Sequence, residues 1–218
     1  MIKFENVSKK YPSGHEALKN VNLAIPRGEL VFLTGHSGAG KSTLLKLILL
    51  LERCSRGKVL INDKCLKSIP NRNIPFYRRK IGMIFQDHRL LVERTVFDNI
   101  ALPLIIGGYS ATDIGKRVRA ALDKVGLLGR ESAYPMTLST GERQRVGIAR
   151  AIVHKPEIIL ADEPTGNLDP VLAHEIIELF QEFNKVGVTI LVATHNLALI
   201  ARFRNRILTL DNGELIAD

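Results

Sequence analysis

The sequence predicts an α/β fold: a mostly parallel sheet with an antiparallel β subdomain and an inserted helical subdomain. Three observations predict it. A glycine-rich loop at residues 35–42 separates a short apolar run from an apolar helical segment. Residues 2–7 and 21–25 alternate apolar and polar side chains, as strands with one buried face do. Residues 87–156 instead show helical spacing of their apolar side chains.

Length and composition bound the class of protein. The chain has 218 residues, of which 45% are hydrophobic, enough for one sizeable α/β domain. Its longest uncharged apolar runs are only a few residues, and its N-terminus lacks the layout of a signal peptide, so we expect a cytosolic or peripheral protein. Cys54 and Cys65 lack metal-ligand spacing, which favours free thiols in a reducing compartment.

The chain is basic, with a net charge of +9 and a cluster at Arg72, Arg78, Arg79 and Lys80. Such an excess suits nucleic acid, anionic lipid headgroups, or a solvated face combined with phosphate ligands. We expect no nucleic-acid partner, because no aromatic residues are interleaved with the basic ones and tryptophan is absent.

The two N-terminal strands, at residues 2–7 and 21–25, are expected to form the antiparallel subdomain beside the core. Tyr11 precedes Pro12 in the loop between them. Its ring is either an ordinary loop aromatic or a surface on which a nucleotide base stacks, and the sequence pattern leaves both open.

The glycine-rich loop fits the phosphate-loop pattern of two glycines followed by lysine and serine. An apolar strand enters it at residues 29–34 and a helix leaves it over residues 41–51, so backbone N–H groups converge on phosphate. Lys41 then places a cation on the outer phosphates, and the Ser42 hydroxyl can bind Mg²⁺. An ordinary turn before a core helix would leave Lys41 unexplained, so we predict a P-loop NTPase core. The residues assigned to nucleotide binding here are Gly35, His36, Ser37, Gly38, Ala39, Gly40, Lys41, Ser42 and Thr43.

A second apolar strand, residues 81–85, runs into Gln86, which either caps the sheet edge or reaches a metal ion and water. The helical region follows, with Ser110 as a start signal and Gly126 as a stop signal. Residues 103–108 within it are apolar and interrupted, as in a packing turn or a surface for a partner.

Ser139 and Glu142 precede a predicted helix over residues 143–153. Their spacing is that of a capping box, which accounts for both residues. The alternative is that this helix start, with its free N–H groups, also binds phosphate.

The apolar strand predicted at residues 157–163 ends in two adjacent acids, Asp162 and Glu163. Alternation points their side chains in different directions, so one can reach Mg²⁺ while the other faces an attacking water. A further strand, residues 188–194, ends at His195. Ligands bind at the carboxyl ends of parallel strands, so we expect the phosphate loop, both acids and His195 to share one site. A helix over residues 171–185 and a C-terminal hairpin at 207–216 complete the prediction.

In their order, these motifs resemble those of ABC-type ATPase subunits along essentially the whole chain. By this resemblance residues 35–42 are Walker A and residues 138–142 are the signature, with Thr140 where glycine is usual. The remaining matches are Tyr11 as the adenine-stacking aromatic, Gln86 as the Q-loop glutamine, Ser139, Gly141 and Glu142 in the signature, Asp162 and Glu163 as Walker B, Asp169 as the D-loop aspartate and His195 as the switch histidine.

Within that superfamily, residues 33–40, 71–79, 81–88 and 161–169 most resemble the FtsE family of bacterial cell-division ATP-binding proteins. The resemblance implies an FtsX-like integral membrane partner, coupling of ATP turnover to peptidoglycan hydrolases outside, and a place on the inner face of the plasma membrane. It also implies a homodimer that sandwiches ATP. We expect one ABC ATPase domain, with residues 1–86 and 157–218 as the nucleotide-binding core and β subdomain and residues 87–156 as the helical signature subdomain.

The resemblance assigns catalysis to Glu163, His195 and Gln86, and Mg²⁺ ligation to Ser42, Gln86 and Asp162, with ATP and Mg²⁺ as cofactors. Two alternatives stay open at this point. One is the ATPase subunit of a lipoprotein-release or efflux permease, and the other, suggested by Thr140, is an ATP-gated interaction module with little turnover. A DNA-repair ATPase would need long coiled-coil insertions that do not fit 218 residues, and a kinase would leave the signature, Asp169 and His195 without roles.

Overall fold

A computed structural model describes residues 1–217, which form ten strands and seven α-helices. The strands are β1 (Ile2–Lys10), β2 (Glu16–Ile25), β3 (Leu30–Thr34), β4 (Arg56–Ile61), β5 (Lys64–Cys65), β6 (Ile81–Ile84), β7 (Ile158–Asp162), β8 (Thr189–Ala193), β9 (Arg206–Asp211) and β10 (Glu214–Ala217). The helices are α1 (Lys41–Ile48), α2 (Ile74–Arg78), α3 (Val96–Gly107), α4 (Ala111–Lys124), α5 (Thr140–Ile152), α6 (Pro170–Lys185) and α7 (Leu197–Ile200). Short 3₁₀ turns lie at Leu66–Ser68, Asn71–Asn73 and Pro135–Thr137.

The larger sheet has six strands in the order β10-β9-β3-β8-β7-β6. All neighbouring pairs from β9 to β6 are parallel, and only β10 runs antiparallel, on β9. Every residue of β3 and β8 is buried, as expected of central strands covered on both faces. This sheet confirms the predicted parallel core and the C-terminal hairpin.

The smaller sheet is antiparallel, with the strand order β2-β1-β4-β5. It confirms the antiparallel subdomain predicted from residues 2–7 and 21–25, and it also takes in the strand at Arg56–Ile61. Tyr11 lies in the β1–β2 connection, outside both strands.

Alternate residues of the parallel strands pack into two different hydrophobic cores. Phe32 belongs to one core with Ile177 and Phe180, on the side of the helices α3 to α6. Leu33 belongs to the other, with α1 and the antiparallel sheet. The parallel sheet is therefore a middle layer, and its carboxyl edge stays open between the two outer layers.

Helices α3, α4 and α5 lie between β6 and β7 in the chain and confirm the helical pattern. The predicted interruption at residues 103–108 is not a turn, because α3 continues through Pro103 and ends at Gly107, with Gly108 at φ 78°. Ile105 and Ile106 are each 57% exposed, so this apolar stretch forms part of the surface. Among residues 1–217 no helix is both long and apolar enough to cross a membrane.

Helix α1 ends at Ile48, three residues before the predicted end. Leu50 has φ 53°, which a helix cannot continue through. The Arg78 guanidinium donates to the carbonyl oxygens of Leu49 and Leu50 at 2.9 and 2.8 Å. This member of the basic cluster therefore closes a helix end, where a cation is favourable.

Candidate functional site

The carboxyl ends of β3, β7 and β8 meet at one edge of the parallel sheet, where a cleft of about 760 Å³ opens. A cleft of this size suits a small-molecule ligand. The residues assigned from sequence that line it are Tyr11, His36, Ser37, Gly38, Gly40, Lys41, Ser42, Thr43, Gln86, Asp162, Glu163 and His195.

The phosphate loop holds the Lys41 ammonium over its own backbone. Lys41 Nζ donates to the carbonyl oxygens of Gly35 and His36 at 2.6 and 3.0 Å, and the residue is only 8% exposed. Gly40 has φ 111°, and a Cβ there would lie 2.6 Å from the Ala17 carbonyl oxygen. The loop therefore needs glycine at this position, and it presents a buried cation to the cleft, which fits a phosphate group.

Two loop residues that were assigned to phosphate binding do not line the cleft. Gly35 backs onto β9, where an added Cβ would lie 2.2 Å from the Leu210 carbonyl oxygen, and Ala39 is 1% exposed. His36 does line the cleft, but its imidazole is also tied to the β9–β10 hairpin, with Nε2 3.1 Å from an Asp211 oxygen. These contacts hold the phosphate loop against the β9–β10 hairpin.

Asp162 ends β7 beside the first turn of α1. Ser42 Oγ donates to Asp162 Oδ1 at 3.2 Å. Burial raises the pKa of the Asp162 carboxyl, and the hydrogen bond from Ser42 opposes part of that rise. The Ser42 hydroxyl, the Asp162 carboxylate and the Gln86 carboxamide face the same cleft, and these oxygen donors are the ligands that Mg²⁺ prefers.

Glu163 follows β7 with φ 49°, an uncommon conformation for a residue other than glycine. Its Oε1 lies 2.8 Å from His195 Nδ1. Because an ionised carboxylate can only accept, His195 donates through Nδ1 and orients the acid. The second oxygen, Oε2, is buried and has no hydrogen-bond partner among the described residues. Buried acceptors are normally satisfied, so this atom marks a position for a donor such as water.

Tyr11 lines the cleft from the β1–β2 connection. Its hydroxyl is 3.3 Å from Thr43 Oγ1, and the Lys9 ammonium sits 4.9 Å from the ring centroid. Lys9 is itself held by Glu52 at 2.6 Å. The ring is thus fixed in place, as a stacking surface for a base requires.

The structure does not bring the signature residues or Asp169 to this cleft. Ser139 caps α5, and the capping box with Glu142 is complete, at 2.9 and 3.2 Å. The hydrogen bond from the Ser139 N–H lowers the pKa of the Glu142 carboxyl. Asp169 caps α6, and a Cβ at Gly141 would lie 2.8 Å from a Leu172 methyl, so the two helix starts adjoin.

Sequence reasoning missed three residues of the cleft, His15, Ala17 and Lys46. Lys46 follows Ser42 by four residues, so both lie on one face of α1. A second lysine on an otherwise apolar helix was the signal for it. His15 and Ala17 come from the β1–β2 connection and from β2, where no local pattern marks them.

A phosphate loop, two acids and a histidine at the carboxyl edge of a parallel sheet define an ATPase of the P-loop class. The model of the family described as ABC transporter matches residues 18–166, so the chain belongs to the ABC transporter family. It is similar to "Cell division ATP-binding protein FtsE" of Escherichia coli K12, 59% identical over 99% of this chain and 97% of the relative. It is 44% identical to the protein of that name from Bacillus subtilis 168, over 100% of this chain and 96% of the relative.

Solved structures are similar along nearly the whole chain. One is described as the dimeric structure of MJ0796, a bacterial ABC transporter cassette, with a TM-score of 0.91 and 40% identity over 99% of this chain and 97% of that one. Another is described as a dimeric post-hydrolysis state of the ATP-binding cassette MJ0796 bound to ADP and Pi, with a TM-score of 0.91, 39% identity and the same coverage. The chain is therefore an FtsE-like ABC ATPase. The relatives do not favour the lipoprotein-release, efflux or low-turnover alternatives.

Proposed function

We propose that this chain is the ATP-binding and ATP-hydrolysing subunit of an FtsE/FtsX-like membrane complex that acts in bacterial cell division. The names of its relatives support the cell-division role. The observation that carries the hydrolytic role is the arrangement of the Glu163 carboxylate. One of its oxygens accepts a hydrogen bond from His195, and the other is buried and has no hydrogen-bond partner among residues 1–217. Such an acid is placed to take a proton from water.

The other side chains of the cleft have distinct roles in this proposal. Tyr11 stacks on the adenine, and Lys41 turns from the loop carbonyls to the β- and γ-phosphates. Glu163 accepts the proton of the attacking water. His195, with hydrogen on both ring nitrogens, donates through Nδ1 to that carboxylate and through Nε2 to the γ-phosphate. Ser42, Asp162 and Gln86 would hold Mg²⁺, which neutralises phosphate charge when bound.

The signature residues act on a second subunit in this proposal. Ser139, Gly141 and Glu142 lie at the start of α5, away from their own cleft, and similar cassettes are dimeric. A head-to-tail pair places this helix start against the ATP of the partner. Residues 87–156 are then the lobe that carries the signature, and residues 1–86 and 157–218 are the core that carries the nucleotide.

The proposal is tested with Glu163→Gln, which keeps the hydrogen bond to His195 but cannot accept the proton. Turnover should fall by about a hundredfold to ten-thousandfold. Size-exclusion chromatography with light scattering should show dimers of the variant only with ATP and Mg²⁺. If Glu163→Gln hydrolyses ATP at the wild-type rate, Glu163 is not the proton acceptor.

If Glu163→Gln binds ATP but stays monomeric, Thr140 is the residue expected to prevent dimer closure. Its hydroxyl accepts a hydrogen bond from Arg143 at 3.1 Å, which fixes the side chain at the first position of α5. Thr140→Gly should then restore dimers, and failure to restore them would assign closure to the membrane partner.

The membrane partner, which we propose to be FtsX-like, has a suitable surface. A groove of about 470 Å³, here called the α3 groove, runs between α3, α2 and the end of α5, and its lining includes Met83, Ile106 and Tyr109 with Arg79. Exposed apolar patches edged by polar residues mark interaction surfaces. Binding there would hold the chain at the inner face of the plasma membrane, in the cytoplasm.

Capture by an FtsX-like subunit tests this surface. Ile106→Glu places a charge in the α3 groove and should abolish capture while the basal ATPase rate is kept. Val186→Glu is the matched control, because Val186 is 78% exposed at the end of α6 and lies outside the groove. Equal capture of both variants would place the interface elsewhere.

A further inference from the structure

The segment after Gln86 is held from the side of α5 by a forked hydrogen bond from one guanidinium, next to a side-chain hydrogen bond between His88 and Gln144. Arg150 of α5 donates through Nη1 to the Arg89 carbonyl oxygen at 2.7 Å and through Nη2 to the His88 carbonyl oxygen at 2.6 Å. Charge-assisted bonds of this forked kind are stronger than neutral ones and fix direction as well as distance. Burial lowers the pKa of the Arg150 guanidinium, but arginine stays protonated in proteins, so the fork persists.

The backbone that receives this fork is strained. His88 and Arg89 both have positive φ, 58° and 47°, although neither is glycine. Consecutive residues of this kind cost free energy and persist only where the surroundings impose them. The Arg89 guanidinium packs over the Phe85 ring, 4.2 Å from the ring centroid, on one side of the turn.

Helix α5 passes close to this turn at Gly147. An added Cβ there would already lie 4.0 Å from the His88 carbonyl oxygen, in van der Waals contact. Arg150 is one turn further along the same helix face. The guanidinium therefore reaches two consecutive carbonyls without bending the helix.

We propose that Arg150 is a positioning residue for Gln86, an inference that rests on the role proposed above for Gln86 in the cleft. Arg150 does not line the cleft, and it acts on Gln86 through the strained turn two and three residues later. Release of the fork lets the turn relax, and the Gln86 carboxamide moves away from Ser42 and Asp162. The binding surfaces for base and phosphate, at Tyr11 and Lys41, are untouched.

The position of Arg150 adds a second consequence. Its helix begins at the signature, and its own side chain also lines the α3 groove. One side chain thus contacts the docking surface and the turn that places Gln86.

The test compares Arg150→Ala with Gln86→Ala and with the double variant. Arg150→Ala should lower kcat about tenfold to hundredfold, the cost of misplacing a group by about an ångström, and leave the Kd for ATP unchanged. Because Arg150 acts through Gln86, the double variant should turn over no more slowly than Gln86→Ala alone. Arg145→Ala is the matched control: Arg145 also lies on α5 and donates to the Val125 carbonyl oxygen and to Glu175, and among residues 1–217 it has no hydrogen bond or ion pair with residues 88 and 89.

The outcomes distinguish the positioning role of Arg150 from the role proposed for Gln86. Wild-type kcat in Arg150→Ala, or losses that multiply in the double variant, would overturn the inference and leave the role of Gln86 standing. Wild-type kcat in Gln86→Ala would instead overturn the role of Gln86, and with it the inference. If Arg150→Ala does not fold, Arg150→Lys replaces it in the same cycle. Lysine keeps the charge but not the fork, so a reduced kcat supports the inference and a wild-type kcat refutes it.

Discussion

Removal of the Lys9 ammonium should weaken ATP binding without slowing hydrolysis. Lys9 is 8% exposed, and its Nζ donates to Glu52 at 2.6 Å and to the Arg53 carbonyl oxygen at 3.0 Å. The same ammonium lies 4.9 Å from the Tyr11 ring centroid. Lys9→Met keeps the aliphatic stem and removes the charge, so the ring loses its cation but not its packing.

The size of the effect follows from this contact. A cation–π interaction contributes about 0.5 kcal/mol when exposed and about 2 kcal/mol when desolvated. Without this interaction the Tyr11 ring becomes ordered only when ATP binds, and the free-energy cost of that ordering reduces the affinity for ATP. At about 1.4 kcal/mol per tenfold, the Kd for ATP should rise roughly twofold to thirtyfold. Because Lys9 is buried, the rise in the Kd for ATP should lie in the upper half of that range.

Isothermal titration with ATP and steady-state kinetics give the two quantities needed. The Kd and KM should rise together while kcat stays at the wild-type value, because Lys41, Glu163 and His195 are unchanged. Lys10→Met is the matched control, since Lys10 is the exposed neighbour on the same strand. An unchanged Kd in Lys9→Met, or a kcat that falls with it, would refute the reasoning.

Three further outcomes are expected. Gly40→Ala should destabilise the fold and abolish ATP binding in denaturation and titration experiments, because its φ is 111° and its Cβ would lie 2.6 Å from a carbonyl oxygen; Gly38→Ala, at φ 84° with no atom within 4 Å of its Cβ, should do less. Asp162→Asn should raise the urea midpoint of the nucleotide-free, metal-free protein at pH 7, because burial disfavours the charged carboxylate. That gain should vanish as the pH falls through the raised pKa of Asp162 toward its ordinary value of 3.8, where the wild-type carboxyl is also neutral. Ser139→Ala should lower the Tm in calorimetry by about 2–4 °C, the loss of about 1 kcal/mol from one cap; an unchanged Tm would contradict this.

The parallel core was predictable because its information is local. Apolar runs that end in Gly35, Asp162 and His195 each specify a buried strand and its polar end. Parallel pairing then places those ends together without further input. The capping box at Ser139 and Glu142 was predictable for the same reason, since both partners lie within four residues.

The features that were not predictable depend on residues distant in sequence. The early end of α1 is fixed by Arg78, which lies about thirty residues later in the chain and bonds the carbonyls of Leu49 and Leu50. Helix α3 passes through Pro103, where local rules predicted an interruption, because its apolar face packs into the same core as α5. The contact of His36 with Asp211 likewise joins two ends of the chain.

The shared core on one face of the sheet has a consequence for folding. Ile100, Val118 and Ile148 of the helical region lie in the same buried cluster as Phe32 of β3 and Phe180 of α6. An excised fragment of residues 87–156 would leave those surfaces in water, so it should not fold autonomously. The helical lobe and the sheet should therefore lose structure in one cooperative transition, and the division proposed between them is one of function rather than of independent stability.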